Sequence, residues 1–186
     1  MTAQITDKVV YQGESYQIIG VKGGDLPKPE DFEMRPQMMS TACYRGFFMQ
    51  YVCEGSRIFL AELTVRTSEY KPVNGVVAQI GGTFSAGQYF DVDMPLTFSG
   101  GLLIAKDFIS ARYVHMGFQK PTSFQTVLEL LIENGRIVEV LDHSRKVAQM
   151  RDEMAKMPAP GFDDPQMQSR YLQEWIHWTF SLDYNL

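Results

Sequence analysis

Cys43-Tyr-Arg-Gly-Phe-Phe-Met-Gln-Tyr-Val-Cys-Glu-Gly-Ser-Arg-Ile-Phe-Leu-Ala-Glu-Leu-Thr-Val-Arg66 decides the fold. Two runs rich in aromatic and β-favouring residues flank Glu54-Gly55-Ser56, a pattern that predicts a β-hairpin. Phe47, Met49, Tyr51 and Cys53 share one face of the first run, and Phe59, Ala61, Leu63 and Val65 one face of the second. The opposite faces mix Phe48, Val52, Ile58 and Leu60 with Gln50, Glu62 and Thr64. A hairpin this apolar on both sides belongs in the middle of a sheet, with cover on each face. Placed on one continuous strand, Cys43 and Cys53 would stand ~33 Å apart. A disulfide needs Cα atoms within about 7 Å, so both thiols are expected to be free.

Outward from that hairpin, Lys8–Tyr11 and Ser15–Val21 read as a second pair of strands around Gln12-Gly13-Glu14. The segment from Gly23 to Pro36, with three prolines and four acids, reads as a surface loop and a candidate binding loop. Val76–Ile80 is too short for its period to separate strand from helix. Tyr89–Met94 alternates Phe90, Val92 and Met94 against Tyr89, Asp91 and Asp93, and is expected to be a strand ended by Pro95. Leu102–Ala105 and Ala111–Phe118 are two further expected strands. Asn134-Gly135 between Val127–Ile132 and Ile137–Leu141 is a strong type I′ hairpin signal. A two-residue loop pairs Glu133 with Arg136, Ile132 with Ile137, Leu130 with Glu139 and Leu128 with Leu141. A three-residue loop with a bulge would instead gather Leu130, Val138, Leu128 and Val140. The two-residue loop is favoured because it joins Glu133 to Arg136.

The tail changes period. Val147, Met150, Met154 and Met157 recur at helical spacing, with Asp142 or Ser144 placed to cap the start. Pro158 to Gly161 stops that helix, and Asp164-Pro165 opens a second with Met167, Tyr171, Trp175 and Trp178 along its apolar stripe. The expected fold is α+β: a mainly antiparallel sheet, or a partly closed barrel or sandwich of short strands, with two C-terminal helices. Residues 1–142 form the β domain. Residues 143–186 form a helical hairpin packed on the same domain, with a homodimer through those helices as the alternative docking.

The chain of 186 residues suits one domain with a sizeable core. Its net charge is −5, and its 17 basic residues are scattered rather than striped, which argues against nucleic acid and anionic membranes and toward a basic protein partner. Residues 1–8 lack the apolar core of a secretory signal, and no run reaches the roughly 18–20 apolar residues of a membrane helix. With two reduced thiols, this places the expected site of action in the cytoplasm.

Few residues offer chemistry. His115 stands on an expected strand beside Tyr113, where a structural role is the plainer reading. His143, between Asp142 and Ser144, invites a triad, but adjacent residues cannot align nucleophile, base and orienter. His177 falls on the polar flank of the last helix. Asp91 and Asp93, roughly 7 Å apart on one strand face, are weak candidates for a divalent metal. Glu62 and Glu139 are acids on mostly apolar strands, and burial would raise such a carboxyl into the range of a general acid or base. Arg45 stands ready to pair with an acid or an anion. No phosphate-binding glycine loop, nucleophile elbow or zinc spacing occurs, and no cofactor is expected.

Tyr44-Arg-Gly-Phe47, Gly55–Leu60, Tyr113–Phe118 and Leu131–Ile137 together resemble a group of uncharacterised bacterial β-rich proteins, across most of residues 8–141. The resemblance implies a β-rich fold and a bacterial source, and no activity. The leading functional expectation is a non-catalytic binding protein, of the immunity or adaptor kind, that engages a basic partner through Asp25, Glu30, Asp31 and Glu33. The alternatives are a β-barrel holding a small apolar ligand and an enzyme assembling His115, Glu139 or the aspartate pair from distant strands.

Overall fold

The computed structural model describes residues 2–82, 84–156, 182 and 184. Among the described residues ten strands run in chain order: β1 (Lys8–Tyr11), β2 (Glu14–Gly23), β3 (Phe47–Glu54), β4 (Arg57–Val65), β5 (Gln79–Gly81), β6 (Ala86–Tyr89), β7 (Met94–Pro95), β8 (Gly100–Phe108), β9 (Phe124–Glu133) and β10 (Arg136–Asp142). Helix α1 (Ser144–Lys156) follows, and 3₁₀ turns occupy Pro29–Phe32, Ser110–Arg112 and Pro121–Ser123.

Across the sheet the strands lie in the order β10-β9-β8-β2-β1-β3-β4-β6-β5, with β7 beside β4. Every neighbouring pair is antiparallel except β1 and β3. Short loops dictate this: Gln12-Gly13, Gly55-Ser56 and Asn134-Gly135 each close a two-residue hairpin. Asn134 and Gly135 both take positive φ, 45° and 72°, as a type I′ turn requires. The sheet curls until β10 meets β4 at one residue pair, Arg136 with Arg57. Beyond that pair the Leu96 amide donates to the Ile58 carbonyl, and the Gly135 amide to the Phe98 carbonyl. The segment around Leu96 thus wedges between the two strands, and the sheet is not a closed barrel.

Inside the curl, side chains such as Met49, Tyr51, Leu63, Tyr89, Leu102 and Leu130 form the main core. A second cluster lies on the outer face, where Ile19, Leu103, Ala105, Phe124 and Val127 meet Val147 of α1. Apolar burial of Val147 against the outer face of β8 and β9, with the Arg151 guanidinium donating to the Phe124 carbonyl (2.6 Å), holds the helix to the sheet.

The central hairpin is in the middle of the sheet, with two corrections. Its first strand begins at Phe47, and Cys43 sits in the preceding turn with its thiol directed at the Phe47 carbonyl (3.4 Å). Both cysteines are free, as expected. On β4, a bulge shifts the register between Gln50 and Tyr51, so Leu63 and Val65 share the core with Ile58 and Leu60 rather than with Phe59 and Ala61. The Ala61 carbonyl instead accepts the Val92 amide (2.9 Å) from the connection between β6 and β7.

A second bulge follows the Asn134-Gly135 turn. Glu133 pairs with Arg136 and Ile132 with Ile137, but Glu139 then pairs with Leu131, Val140 with Leu130 and Asp142 with Leu128. The Glu139–Leu130 and Leu141–Leu128 pairings are therefore overturned, and Val138 is the extra residue. Two expected strands do not form. Ala111–Phe118 is a 3₁₀ turn and a loop, in which the Gln119 side chain bonds both the amide and the carbonyl of Val114. Within Tyr89–Met94, β6 ends at Tyr89, and Asp91 and Asp93 both take positive φ. The first expected helix forms, with Asp142 Oδ1 accepting the Ser144 amide at 2.8 Å. The second expected helix, and the homodimer drawn from the two, lie outside the described residues.

Candidate functional site

The segment from Asp25 to Glu33 is a loop with a fixed shape. Pro29, in the first turn of its 3₁₀ element, is buried, and Met34 is 1% exposed beneath it. Tyr89 locks that anchor: its hydroxyl lies 3.2 Å from Met34 Sδ and donates to the Lys71 carbonyl at 2.7 Å. Asp31 Oδ2 accepts the Lys28 amide at 2.8 Å and closes the turn. Glu33 ends it in the left-handed region (φ 59°). Asp25 pairs with Lys28 at 3.4 Å, both side chains being largely exposed. All four carboxylates face solvent from a backbone pinned by buried apolar anchors.

The other expected site residues are dispersed. His115 is exposed and meets Tyr113 edge to face, with ring centroids 4.9 Å apart. Glu139 is exposed on β10. Asp91 and Asp93 are exposed and stand on a connection rather than a strand face. Among the described residues no hydrogen bond or ion pair joins these four, and no three His, Cys, Asp or Glu side chains gather as a metal site. Arg45 does find an acid, Asp7, in a two-pronged pair (2.6 and 3.1 Å).

Sequence reasoning missed a second partly buried polar cluster. Glu129 on the outer face of β9 accepts from the Tyr184 hydroxyl at 2.6 Å, and its other oxygen lies 2.7 Å from His143 Nε2. The two side chains, Glu129 and His143, are only 12% and 15% exposed. Burial pushes the Glu129 carboxyl up, but the bonds from Tyr184 and His143 outweigh it and hold the carboxyl below its ordinary value. Burial, reinforced by the negative neighbour, drives the Tyr184 hydroxyl well above its own. Gly20 and Gly101 make room for the tyrosine ring, since a Cβ at either would collide with it. The Leu182 carbonyl accepts the Val21 amide (2.9 Å), fixing the chain next to that ring. This cluster orients an imidazole and ties the Tyr184 hydroxyl to the sheet. Only its spacing of 14 and 55 positions hid it.

A recess of about 430 Å³ opens on the outer face of β1 to β4 beneath the N-terminal segment. Its floor is a row of directly opposed residues: Gln17 beside Lys8, Lys8 beside Gln50, and Gln50 beside Glu62. The next row holds Phe48 and Thr64, and Ile5 and Thr6 form the wall. A smaller recess of about 170 Å³ continues past Phe48 and Thr64 toward Phe84 and Gln88. Elsewhere, burial lowers the Lys120 ammonium to about 8. Among the described residues no helix is long and apolar enough to cross a membrane. No protein-family model, curated protein or solved structure matches the chain.

Proposed function

We propose that this chain is a non-catalytic binding protein, of the immunity or adaptor kind, whose acidic segment 25–33 docks on a basic protein surface. The observation that carries this reading is the anchoring of that segment. Met34 and Pro29 are buried, while Asp25, Glu30, Asp31 and Glu33 point outward. A segment already held in shape loses little conformational entropy when a partner arrives. The net charge of −5 adds long-range attraction for a cationic surface. Such attraction acts over a Debye length of about 8 Å at physiological salt, so association is salt-sensitive.

The test compares the native chain with D25N/E30Q/E33Q, which leaves the turn-closing Asp31 in place. Surface plasmon resonance against proteins captured from the source cell should show an association rate that falls with salt for the native chain. The variant should associate at least tenfold more slowly. Equal association rates for the two would refute the assignment of the docking face.

A further inference from the structure

We propose that the recess on the outer face of β1 to β4 binds a short zwitterionic peptide of two or three residues, its ammonium toward Glu62 and its carboxylate toward Lys8. Lys8, Gln50 and Glu62 are opposed neighbours on three adjacent strands, so one positive and one negative group flank a neutral amide on a single face. Strands lie about 4.8 Å apart, which puts the two charges on the order of 10 Å from one another at their backbones. An extended chain advances by at most about 3.3–3.6 Å per residue, so two or three residues fill that gap.

The polar groups lining the recess have capacity to spare. Among the described residues Lys8 makes no ion pair, and Glu62 is reached only by the Gln50 amide at 3.5 Å. Among the described residues the Gln17 side chain is met only by the Thr6 hydroxyl, at 3.4 Å. Both contacts are at the weak limit of hydrogen bonding and yield readily to a ligand. Thr64 is 9% exposed and its hydroxyl has no bond among the described residues. An arriving peptide offers backbone N–H and C=O groups that the Gln17 and Gln50 amides match as acceptor and donor at once. Ile5 and Phe48 supply apolar walls, and the smaller recess lined by Phe48, Phe84 and Ala86 receives one side chain. The volume of about 430 Å³ lies in the range of small-ligand sites.

Isothermal titration calorimetry with trialanine, N-acetyl-trialanine and trialanine amide tests the assignment, using the native chain, Glu62→Gln and Lys8→Met. Trialanine should bind the native chain. Acetylation should weaken binding about tenfold or more, as loss of one charge-assisted bond does, and amidation should do the same. The acetyl penalty should vanish in Glu62→Gln and the amide penalty in Lys8→Met, with unfolding midpoints confirming that both variants fold. Absence of heat with trialanine at millimolar concentration, or penalties that persist in the variants, would overturn the proposal. D25N/E30Q/E33Q should bind trialanine as the native chain does, so this site and the acidic docking face stand or fall separately.

Discussion

Arg45 grips Asp7 across 38 positions of sequence, its two terminal nitrogens donating to the two carboxylate oxygens at 2.6 and 3.1 Å. The Met49 amide donates to the same carboxylate (2.7 Å), and the guanidinium lies 4.7 Å from the Phe47 ring centroid. One buried acid thereby ties the N-terminal segment, the entry to β3 and β3 itself into a single unit. The recess lies beside this joint, so its wall is as firm as the pair that anchors it.

Removing one member leaves the other charge without its partner. Asp7→Ala should therefore cost about 3 kcal/mol in urea unfolding, the usual penalty for breaking a buried pair. Asp7→Ala combined with Arg45→Met should cost less than the sum of the single changes, because no unpaired charge remains.

The Glu129 cluster sets two limits on stability against pH. Glu129 titrates below 4.5 in the folded chain, so its contribution is complete above about pH 4.5 and is lost as pH falls through the lower folded value. Tyr184 titrates above 10, so its contribution is complete below that pH and is lost as pH rises beyond it. Thermal midpoints measured across pH should lose part of the acid limb in Glu129→Gln and part of the alkaline limb in Tyr184→Phe.

Gly135 is fixed by two demands at once. Its φ is +72°, and a Cβ there would strike the Leu96 carbonyl in the wedge between β10 and β4. Gly135→Ala should destabilise the fold by about 2 kcal/mol or more, read as a lower urea midpoint, since left-handed strain and the collision add. Gly55→Ala shares the positive φ but meets open space, and should cost about 1 kcal/mol.

Burial raises both thiols, Cys53 to about 11. At pH 8 a thiol reagent should label the folded chain slowly and the urea-unfolded chain at both positions quickly, because the thiolate is the reactive form. Labelling of Cys53 should accelerate as pH approaches 11.

Local chemistry made much of the fold legible. Asn134-Gly135 announces a tight turn by backbone preference alone and forms where expected, and the expected Gln12-Gly13-Glu14 connection closes one residue tighter, on Gln12-Gly13 with Glu14 in β2. The bulge at Ala61 was invisible because a tertiary contact, the Val92 amide on its carbonyl, sets it, and the one at Val138 shows only in the pairing of β10 with β9. Tyr113 to Phe118 alternates as a strand should, but the Gln119 side chain occupies the backbone groups of Val114 that a neighbouring strand would need. Proline and acid content marked 25–33 as an exposed loop, whereas its anchor, Met34 under Tyr89, joins residues 55 positions apart. Glu129, His143 and Tyr184 were hidden in the same way, since no spacing rule links a strand acid to residues beyond its hairpin.

The docking face is tested most directly by immobilising the native chain and D25N/E30Q/E33Q side by side, passing source-cell lysate over both at low salt, and quantifying retained proteins by mass spectrometry. A basic protein should be retained by the native chain, released by added salt, and retained at least tenfold less by the variant. Retention of the same proteins in equal amounts by both chains would contradict it.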